Sequence, residues 1–193
     1  LMGLLRMAKV PFIGCDMASS AVAMDKAFTK QVLLAEGVSV VPFVWFNKSD
    51  FFRSDLGDSL RSDLKKLKYP LFVKPVHLGS SIGMSKVKDA QALNNAVEVA
   101  FHYDDKVLVE ESVENLIEVT LPIMGNSELE CANVERPLNK SEFFDFNDKY
   151  LSGGKKGSGM HTQYSEIPAN IGSDLTARVL ELGKKTYKTL GCS

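Results

Sequence analysis

Cysteine is scarce in this sequence, and its three copies lie far apart. Cys15, Cys131 and Cys192 form no C-x-x-C pair, and thiols spaced this widely give neither a disulfide framework nor a structural zinc site. The three histidines are also scattered, and no H-E-x-x-H motif is present, so the sequence predicts no metal site. We expect reduced thiols in a protein of the cytoplasm.

Neither sign of charge is in excess. The 193 residues include 23 Lys and Arg against 24 Asp and Glu, which gives a formal net charge of -1. A general binder of nucleic acid or of acidic membranes carries a basic surplus, so both classes are excluded. No apolar run approaches the roughly 18 residues of a membrane span, and the first residues lack the regions of a signal peptide. We expect neither a membrane nor a nucleic-acid partner.

What the sequence does contain is the composition of a folded chain, with 45% hydrophobic and 24% charged residues. Its length allows one large domain or two small ones. Spacing, caps and stop signals predict the end of a helix over 1–9 and helices from Ser19 or Ser20 to Glu36, around 56–67, from Asp89 onward, and from a cap at Ser173 to a stop at Gly191. They predict strands over 40–46, 71–74, up to Val87 and over 106–110, and a hairpin of 118–124 with 128–134. Because the hairpin is antiparallel, we predict an α+β fold of two small lobes that face each other across a cleft.

A glycine-serine loop follows the strand that ends at Lys74-Pro75. In Gly79-Ser80-Ser81-Ile82-Gly83, two glycines permit close backbone approach and two serines add hydroxyl groups to the backbone N–H donors. Such a loop can hold a phosphate, and a lysine at a strand end adds a point charge. A plain surface turn beside a surface lysine explains the pattern equally well.

The same loop matches G-x-S-x-G, the nucleophile elbow of α/β-hydrolases, with Ser81 as the nucleophile. Asp148 and His161 follow in the order that those enzymes use. The context argues against an elbow, because four residues separate the strand from the loop and an extended segment follows it. A serine hydrolase therefore stays the lesser alternative.

Carboxylates cluster at the end of the strand over 106–110. Glu110 and Glu111 are expected side by side near a boundary at about 113–117, and Glu118 follows shortly after. A carboxylate can accept from the exocyclic amine of adenine, and another can accept from ribose hydroxyls. A solvated acidic strand end is the simpler explanation, so this cluster alone is weak support for a nucleotide site.

Two further lysines are candidates for phosphate contacts. Lys26 lies on the first long helix, where most lysines are merely solvated. Lys149 and Tyr150 lie in a polar, glycine-dense stretch over 141–168. Loops of this length in compact domains are commonly functional lids, although a basic surface loop is the simpler reading.

Taken together and in order, these segments resemble one family. The chain closely resembles the D-alanine–D-alanine ligases of the ATP-grasp superfamily over nearly its whole length. The segments that carry the resemblance are Met24-Asp25-Lys26, Val73-Lys74-Pro75, Gly79 to Val87, Val107-Leu108-Val109-Glu110-Glu111 and Phe143 to Ser152. The Lys-Pro…Gly-Ser-Ser-x-Gly loop and the Lys-Tyr lid are the most specific of these.

The resemblance implies that ATP lies between two lobes, with Mg²⁺, or Mn²⁺ as an alternative, at its phosphates. The implied phosphate contacts are Lys26, Lys74, Ser80, Ser81 and, from the lid, Lys149. The implied adenine and ribose contacts are Glu110, the backbones of Glu111 and Val113, and Glu118. Tyr150 is implied to link the lid to the loop, and the residues nearest the chemistry are Ser80, Ser81, Lys149 and Tyr150.

The implied reaction joins two D-alanines for peptidoglycan synthesis through an acyl phosphate, in a homodimeric enzyme of the bacterial cytoplasm. The implied domains are a remnant of the N-terminal substrate domain and linker over 1–20, a first lobe over 21–115, and part of a second lobe over 116–193 with the lid at 141–168. The family's metal ligands and an oxyanion-binding arginine are expected beyond Ser193. We therefore expect a fragment that is inactive alone.

The second substrate is less certain than the family. Tyr150 after Lys149 resembles the dipeptide ligases more than those that use D-lactate, and ligases for D-serine stay an alternative. A third hypothesis, of a different class, is a nucleotide-binding or interaction fragment with no catalytic role. Protection from proteolysis by ATP analogues favours the ligase, whereas labelling of Ser81 by a fluorophosphonate favours the hydrolase.

Overall fold

The structure is a computed structural model, in which residues 1–138 and 165–193 are described; at 54–58 the description covers the backbone alone. The helices of this part are α1 (Met2–Met7), α2 (Met17–Met24), α3 (Lys26–Ala35), α4 (Lys48–Phe52), α5 (Ser54–Leu64), α6 (Ala90–Ala100) and α7 (Ser173–Thr189). The strands are β1 (Phe43–Asn47), β2 (Leu71–Pro75), β3 (Ser85–Val87), β4 (Lys106–Glu111), β5 (Ile123–Gly125), β6 (Leu129–Cys131), β7 (Arg136–Pro137) and β8 (Ser165–Glu166).

The described residues belong to two compact units. The sheet unit comprises Val40–Asn115, and the hairpin unit comprises Leu1–Ser39 with residues 116–138 and 165–193. Each unit combines helices with antiparallel strands, as the α+β prediction requires. The predicted domain division into 1–20, 21–115 and 116–193 stays a prediction.

The sheet unit is built on a four-stranded antiparallel sheet in the order β1-β4-β2-β3. Strand residues alternate between the two faces, and one face forms the hydrophobic core with α6 and the end of α5. The core contains Phe46, Leu71, Val73, Val87, Val107 and Val109 from the strands, with Leu64, Leu67, Leu93, Ala96, Val97 and Ala100 from the helical side. The apolar spacing that predicted α6 is confirmed, and Asp89 caps that helix by accepting from the Ala92 N–H at 2.9 Å.

The single helix predicted from Ser19 or Ser20 to Glu36 is wrong. The chain forms two helices, because the Asp25 backbone is extended (φ -99°, ψ 103°) and its carboxylate accepts from the Phe28 N–H at 2.8 Å. Asp16, one turn earlier than expected, caps α2 by accepting from the Ser19 N–H at 2.9 Å. Hydrophobic periodicity runs across such a break, so only the capping carboxylate of Asp25 could have revealed it.

In the hairpin unit, the predicted hairpin forms but is shorter than expected. β5 and β6 pair through Ile123–Cys131 and Gly125–Leu129. Ser173 is the first residue of α7 rather than its cap, because Gly172 occupies the cap position with φ 84°. β8 lies within the loop predicted over 141–168 and pairs with β7, so that the loop prediction is wrong at these two residues.

The three cysteines are free thiols. Burial, with a smaller effect from Cys15, raises the pKa of Cys192 to about 11, so this thiol stays protonated near neutral pH. Within 1–138 and 165–193, no helix is both long and apolar enough to cross a bilayer.

Candidate functional site

The second face of the sheet carries charged and aromatic side chains. Directly paired residues of an antiparallel sheet point to the same side, and the register pairs Phe72 with Glu110 and Lys74 with Leu108. We call this surface the lysine face; its members are Phe43, Trp45, Asn47, Phe72, Lys74, Lys86, Lys106, Leu108 and Glu110. The sheet unit therefore separates an apolar face from a polar one.

An ion pair lies at the centre of the lysine face. The Lys74 ammonium donates to Glu110 Oε1 at 2.5 Å, and the two side chains are 24% and 11% exposed. They are diagonal neighbours on adjacent strands, a spacing that long side chains can bridge. An ammonium has three N–H donors and a carboxylate has two oxygens, so that this one bond does not use the full capacity of either group.

The three lysines of the lysine face lie close to aromatic rings. Lys106 Nζ lies 4.4 Å from the centroid of the Trp45 ring. The ammonium groups of Lys74 and Lys86 lie 5.3 and 5.8 Å from the Phe72 ring. Cations are attracted to ring faces at such distances. Among the residues that the structure describes, the lysine face thus presents three ammonium groups and the carboxylate of Glu110, and ammonium groups suit a polyanion.

The glycine-serine loop connects β2 to β3 and has a strained backbone. Ser80 and Ser81 have φ of 55° and 59°, the left-handed region that serine seldom occupies. A turn across these two residues closes through the Ile82 N–H and the Gly79 carbonyl at 3.1 Å. Such strain persists only where the surroundings enforce it, and it is concentrated at ligand-binding sites.

Gly83 is the position at which this loop requires glycine. Its φ is 69°, and an added Cβ would lie 2.7 Å from Tyr103 Cδ2 and 2.8 Å from Pro75 Cγ. The strand β3 begins two residues later, as predicted. A nucleophile elbow would instead lead from Ser81 into a helix. The sheet unit therefore does not build the hydrolase site, and its other expected members, Asp148 and His161, lie outside the described residues.

Glu110 and Glu111 do not lie side by side as expected. Strand alternation places them on opposite faces, and Glu111 Oε1 accepts from the Lys68 N–H at 2.9 Å. The backbone N–H of Glu111 donates to the Pro42 carbonyl at 3.1 Å. Of the two carboxylates, only that of Glu110 belongs to the lysine face. The predicted base contacts of the Glu111 and Val113 backbones stay predictions.

The remaining candidates divide between the other unit and the undescribed stretch. Lys26 and Glu118 belong to the hairpin unit, where Lys26 is the first residue of α3 and the Glu118 side chain is exposed. Their contacts with ATP stay predictions. Lys149 and Tyr150 lie outside the described residues.

Sequence reasoning missed Lys86, Lys106 and Trp45 as members of the site. Strand alternation could have indicated the two lysines. Lys106 is four residues from Glu110 on the same strand and so lies on the same face, and Lys86 pairs with Phe72, which lies two residues from Lys74. What the sequence alone could not supply is the pairing of β2 with both β3 and β4, which brings these residues onto one surface.

Comparison of the sequence with protein families gives a match over most of the chain. The family model described as D-ala D-ala ligase C-terminus covers residues 32–193. The chain belongs to this ligase family. A D-alanine–D-alanine ligase of Thermosipho africanus (strain TCF52B) is 37% identical over 192 residues, which is 100% of this chain and 50% of the relative. One from Streptococcus pneumoniae (strain CGSP14) is 33% identical over 98% of this chain and 51% of its own length.

Solved structures of ligases share the fold. The VanG D-Ala:D-Ser ligase from Enterococcus faecalis superposes with a TM-score of 0.79 and 34% identity, over 100% of this chain and 52% of that one. The D-alanine–D-alanine ligase from Coxiella burnetii superposes with a TM-score of 0.72 and 26% identity, over 100% of this chain and 47% of that one. These neighbours are ATP-grasp enzymes, as the fold prediction requires. The chain spans about half the length of the curated relatives it matches.

A divalent cation does not fit the ligase residues that are described. Mg²⁺ prefers several oxygen ligands, and the described residues contain no group of three or more His, Cys, Asp or Glu side chains that could hold a metal. Glu110, the carboxylate of the lysine face, is already paired with Lys74. The lysine face suits the phosphates of a nucleotide rather than a metal ion.

Proposed function

We propose that this chain is the nucleotide-binding part of a longer ligase that joins two D-alanines with ATP. The observation that carries the proposal is the lysine face, on which three ammonium groups and the Glu110 carboxylate share one surface of the sheet. Ammonium groups suit a triphosphate, and a carboxylate suits the amino group of adenine. Family membership supports the same assignment.

Lys74 is the residue that we assign to the phosphates. Its ammonium faces negative charge both in bound ATP and in the transition state, where charge spreads over the transferring phosphoryl group. Ser80 and Ser81 offer hydroxyl groups from the strained loop, and Lys26 and Lys149 add charge from other segments. Catalysis by such residues consists of positioning and charge stabilisation.

The reaction that we propose has two steps. A carboxylate oxygen of the first D-alanine attacks the terminal phosphorus of ATP, the bond to ADP breaks, and an acyl phosphate forms. The amine of the second D-alanine then attacks the acyl carbon, phosphate leaves, and the amine loses a proton. A lid that carries Lys149 and Tyr150 would exclude the water that hydrolyses such an intermediate. The resemblance implies Mg²⁺, or Mn²⁺ as its alternative, at the phosphates, and the described residues do not provide ligands for it.

The remaining features of the proposal rest on the resemblance. They are a role in peptidoglycan synthesis and cell shape, a location in the cytoplasm, and a homodimer as the complete enzyme. We further propose that the 193 residues alone do not ligate D-alanine. Turnover of D-alanine and ATP by the purified chain would contradict this last point.

The experiment that tests the assignment compares two lysines in a full-length ligase that contains this chain. Lys74→Ala should raise the KM for ATP by about tenfold or more and lower kcat, because it removes charge that meets both the ground and the transition state. Lys66→Ala is the matched control, because Lys66 pairs on an exposed surface with Asp63. Equal kinetics for the two variants would contradict the phosphate assignment.

A D-alanine–D-serine ligase is the second candidate. The similarity to the VanG D-Ala:D-Ser ligase, with a TM-score of 0.79, favours keeping it. Competition between D-alanine and D-serine as second substrate, with the dipeptide products separated by chromatography, distinguishes the two. We expect D-alanyl-D-alanine as the main product, and a majority of D-alanyl-D-serine would replace the first candidate with the second.

A further inference from the structure

Asp104 lies in the turn between α6 and β4 and binds the start of the glycine-serine loop. Its Oδ2 accepts from the His77 N–H at 2.7 Å, and His77 Nδ1 lies 3.0 Å from the same oxygen. Its Oδ1 accepts from the Lys106 N–H at 3.1 Å. The Asp104 side chain is 10% exposed, whereas that of His77 is 48% exposed. One largely buried carboxylate thus joins β4 to the segment that enters the loop.

The residue before Asp104 contacts the other end of the loop. Gly83 lies so close to the Tyr103 ring that an added Cβ would clash with it at 2.7 Å. Tyr103 and Asp104 also donate their backbone N–H groups to the Ala100 carbonyl at 3.0 and 3.2 Å. The turn after α6 therefore holds both ends of the loop and is itself tied to the last turn of the helix.

Asp104 is charged in this setting. Burial opposes ionisation, but hydrogen bonds from the His77 backbone and ring and from the Lys106 backbone outweigh it and lower the pKa of Asp104 below its usual value. Hydrogen bonds to an ionised acceptor are stronger than neutral ones. The contact between this turn and the loop is therefore charge-assisted at neutral pH.

We propose that Asp104 is a positioning residue for the nucleotide, which holds the glycine-serine loop in its strained, phosphate-binding conformation without touching ATP. The inference rests on the proposed function. Ser80 and Ser81 occupy the left-handed region, so the loop needs an external anchor to keep that conformation. The Asp104 contacts at one end and the Tyr103 ring at the other supply it.

Four variants of the full-length enzyme test this role. Asp104→Ala removes every acceptor, and Asp104→Asn keeps one carbonyl acceptor without the charge. His77→Ala removes the ring but keeps the backbone N–H that donates at 2.7 Å. Asp105→Ala is the matched control, since Asp105 is the exposed neighbour and its backbone carbonyl, which accepts from the Lys48 N–H, is retained.

The expected kinetic result is a graded rise in the KM for ATP with little change in kcat. Asp104 acts on ATP only through the loop backbone, so its loss should weaken ATP binding in the ground and transition states to a similar extent, which appears mainly in KM. We expect about tenfold for Asp104→Ala, about threefold for Asp104→Asn, and less than twofold for His77→Ala and Asp105→Ala. A kcat that falls with KM unchanged, or an Asp104→Ala enzyme that matches Asp105→Ala, would overturn the inference.

Hydrogen exchange supplies a readout that does not depend on activity. The amides of Ile82 and Met84 close the loop through the Gly79 and Ser81 carbonyls. We expect these two amides to exchange several-fold faster in Asp104→Asn while the amides of β2 and β4 keep their rates. Unchanged exchange at both positions would overturn the inference even if Lys74→Ala confirms the ATP site. If Lys74→Ala instead leaves the kinetics unchanged, the proposed function fails and the exchange result still decides whether Asp104 anchors the loop.

Discussion

The two faces of the β1-β4-β2-β3 sheet are made from alternate residues of the same strands, and they differ in polarity. One face is mainly apolar and packs into the core, with Leu71 and Val73 at 0% exposure. The other carries the Lys74–Glu110 ion pair and lysines over aromatic rings. A single alternation thus separates the residues that stabilise the fold from those that we assign to the nucleotide.

Because the two faces differ, substitutions on them should have different effects. On the core face, a smaller side chain leaves a cavity, so stability falls while the binding surface keeps its groups. On the lysine face, the loss of one charge changes the electrostatics of the surface more than the packing. A substitution of Leu71 should therefore affect stability alone, whereas a substitution of Lys74 in the same strand should affect ATP affinity as well as stability.

The largest expected effect on stability comes from the core face. Leu71→Ala should lower the free energy of unfolding by about 2–5 kcal/mol, because a fully buried side chain leaves a cavity. Urea denaturation followed by circular dichroism measures this loss. ATP affinity of the folded fraction should stay unchanged. A loss below about 1 kcal/mol would mean that the two faces do not differ as described.

On the lysine face, Lys74→Met should lower the free energy of unfolding by about 1–3 kcal/mol, because it leaves the Glu110 carboxylate, 11% exposed, without its ammonium partner. The same denaturation experiment measures it. The double variant Lys74→Met/Glu110→Gln should recover most of the stability but not the ATP affinity. Recovery of both would show that Lys74 acts only through Glu110.

A smaller effect is expected where Lys106 lies over Trp45. Lys106→Met keeps the aliphatic stem and should cost about 0.5–1 kcal/mol through loss of the cation–π contact. Trp45 is the single tryptophan of the sequence, so its emission reports the change directly. An emission spectrum and a denaturation curve that both match the parent protein would place Lys106 away from the ring in solution.

The smallest effect is expected on the exposed surface. Lys66 pairs with Asp63 at 2.7 Å, with side chains 72% and 48% exposed. Lys66→Ala should change the free energy of unfolding by no more than about 0.5 kcal/mol, because water and salt screen such pairs. A loss of stability equal to that of Lys74→Met would show that burial does not strengthen the Lys74–Glu110 ion pair.

The core face was largely predictable from the sequence, since apolar spacing marks α6 and the strand at Leu71-Phe72-Val73. The break between α2 and α3 was not, because the apolar spacing continues across Asp25 and only its capping contact with Phe28 ends one helix and begins the next. Apolar spacing indicates that a segment is helical, but it changes little where one helix ends and another begins directly after it.

The site was predictable only in part, for a different reason. Lys74, Ser80, Ser81 and Glu110 came from local motifs and from a family resemblance. The shared surface with Lys86 and Lys106 depends on which strands pair, and pairing over long sequence separations leaves no local signature. Strand alternation rather than pairing places Glu111 on the face opposite Glu110, where its carboxylate accepts from the Lys68 N–H.

The most direct test of the account is a crystal structure of the full-length ligase with a non-hydrolysable ATP analogue. We predict that Lys74 Nζ lies about 3 Å from a phosphate oxygen and that a Glu110 carboxylate oxygen lies about 3 Å from the adenine amino group. An analogue bound elsewhere, too far from Lys74 and Glu110 even for a contact through one water molecule, would contradict the assignment of the lysine face.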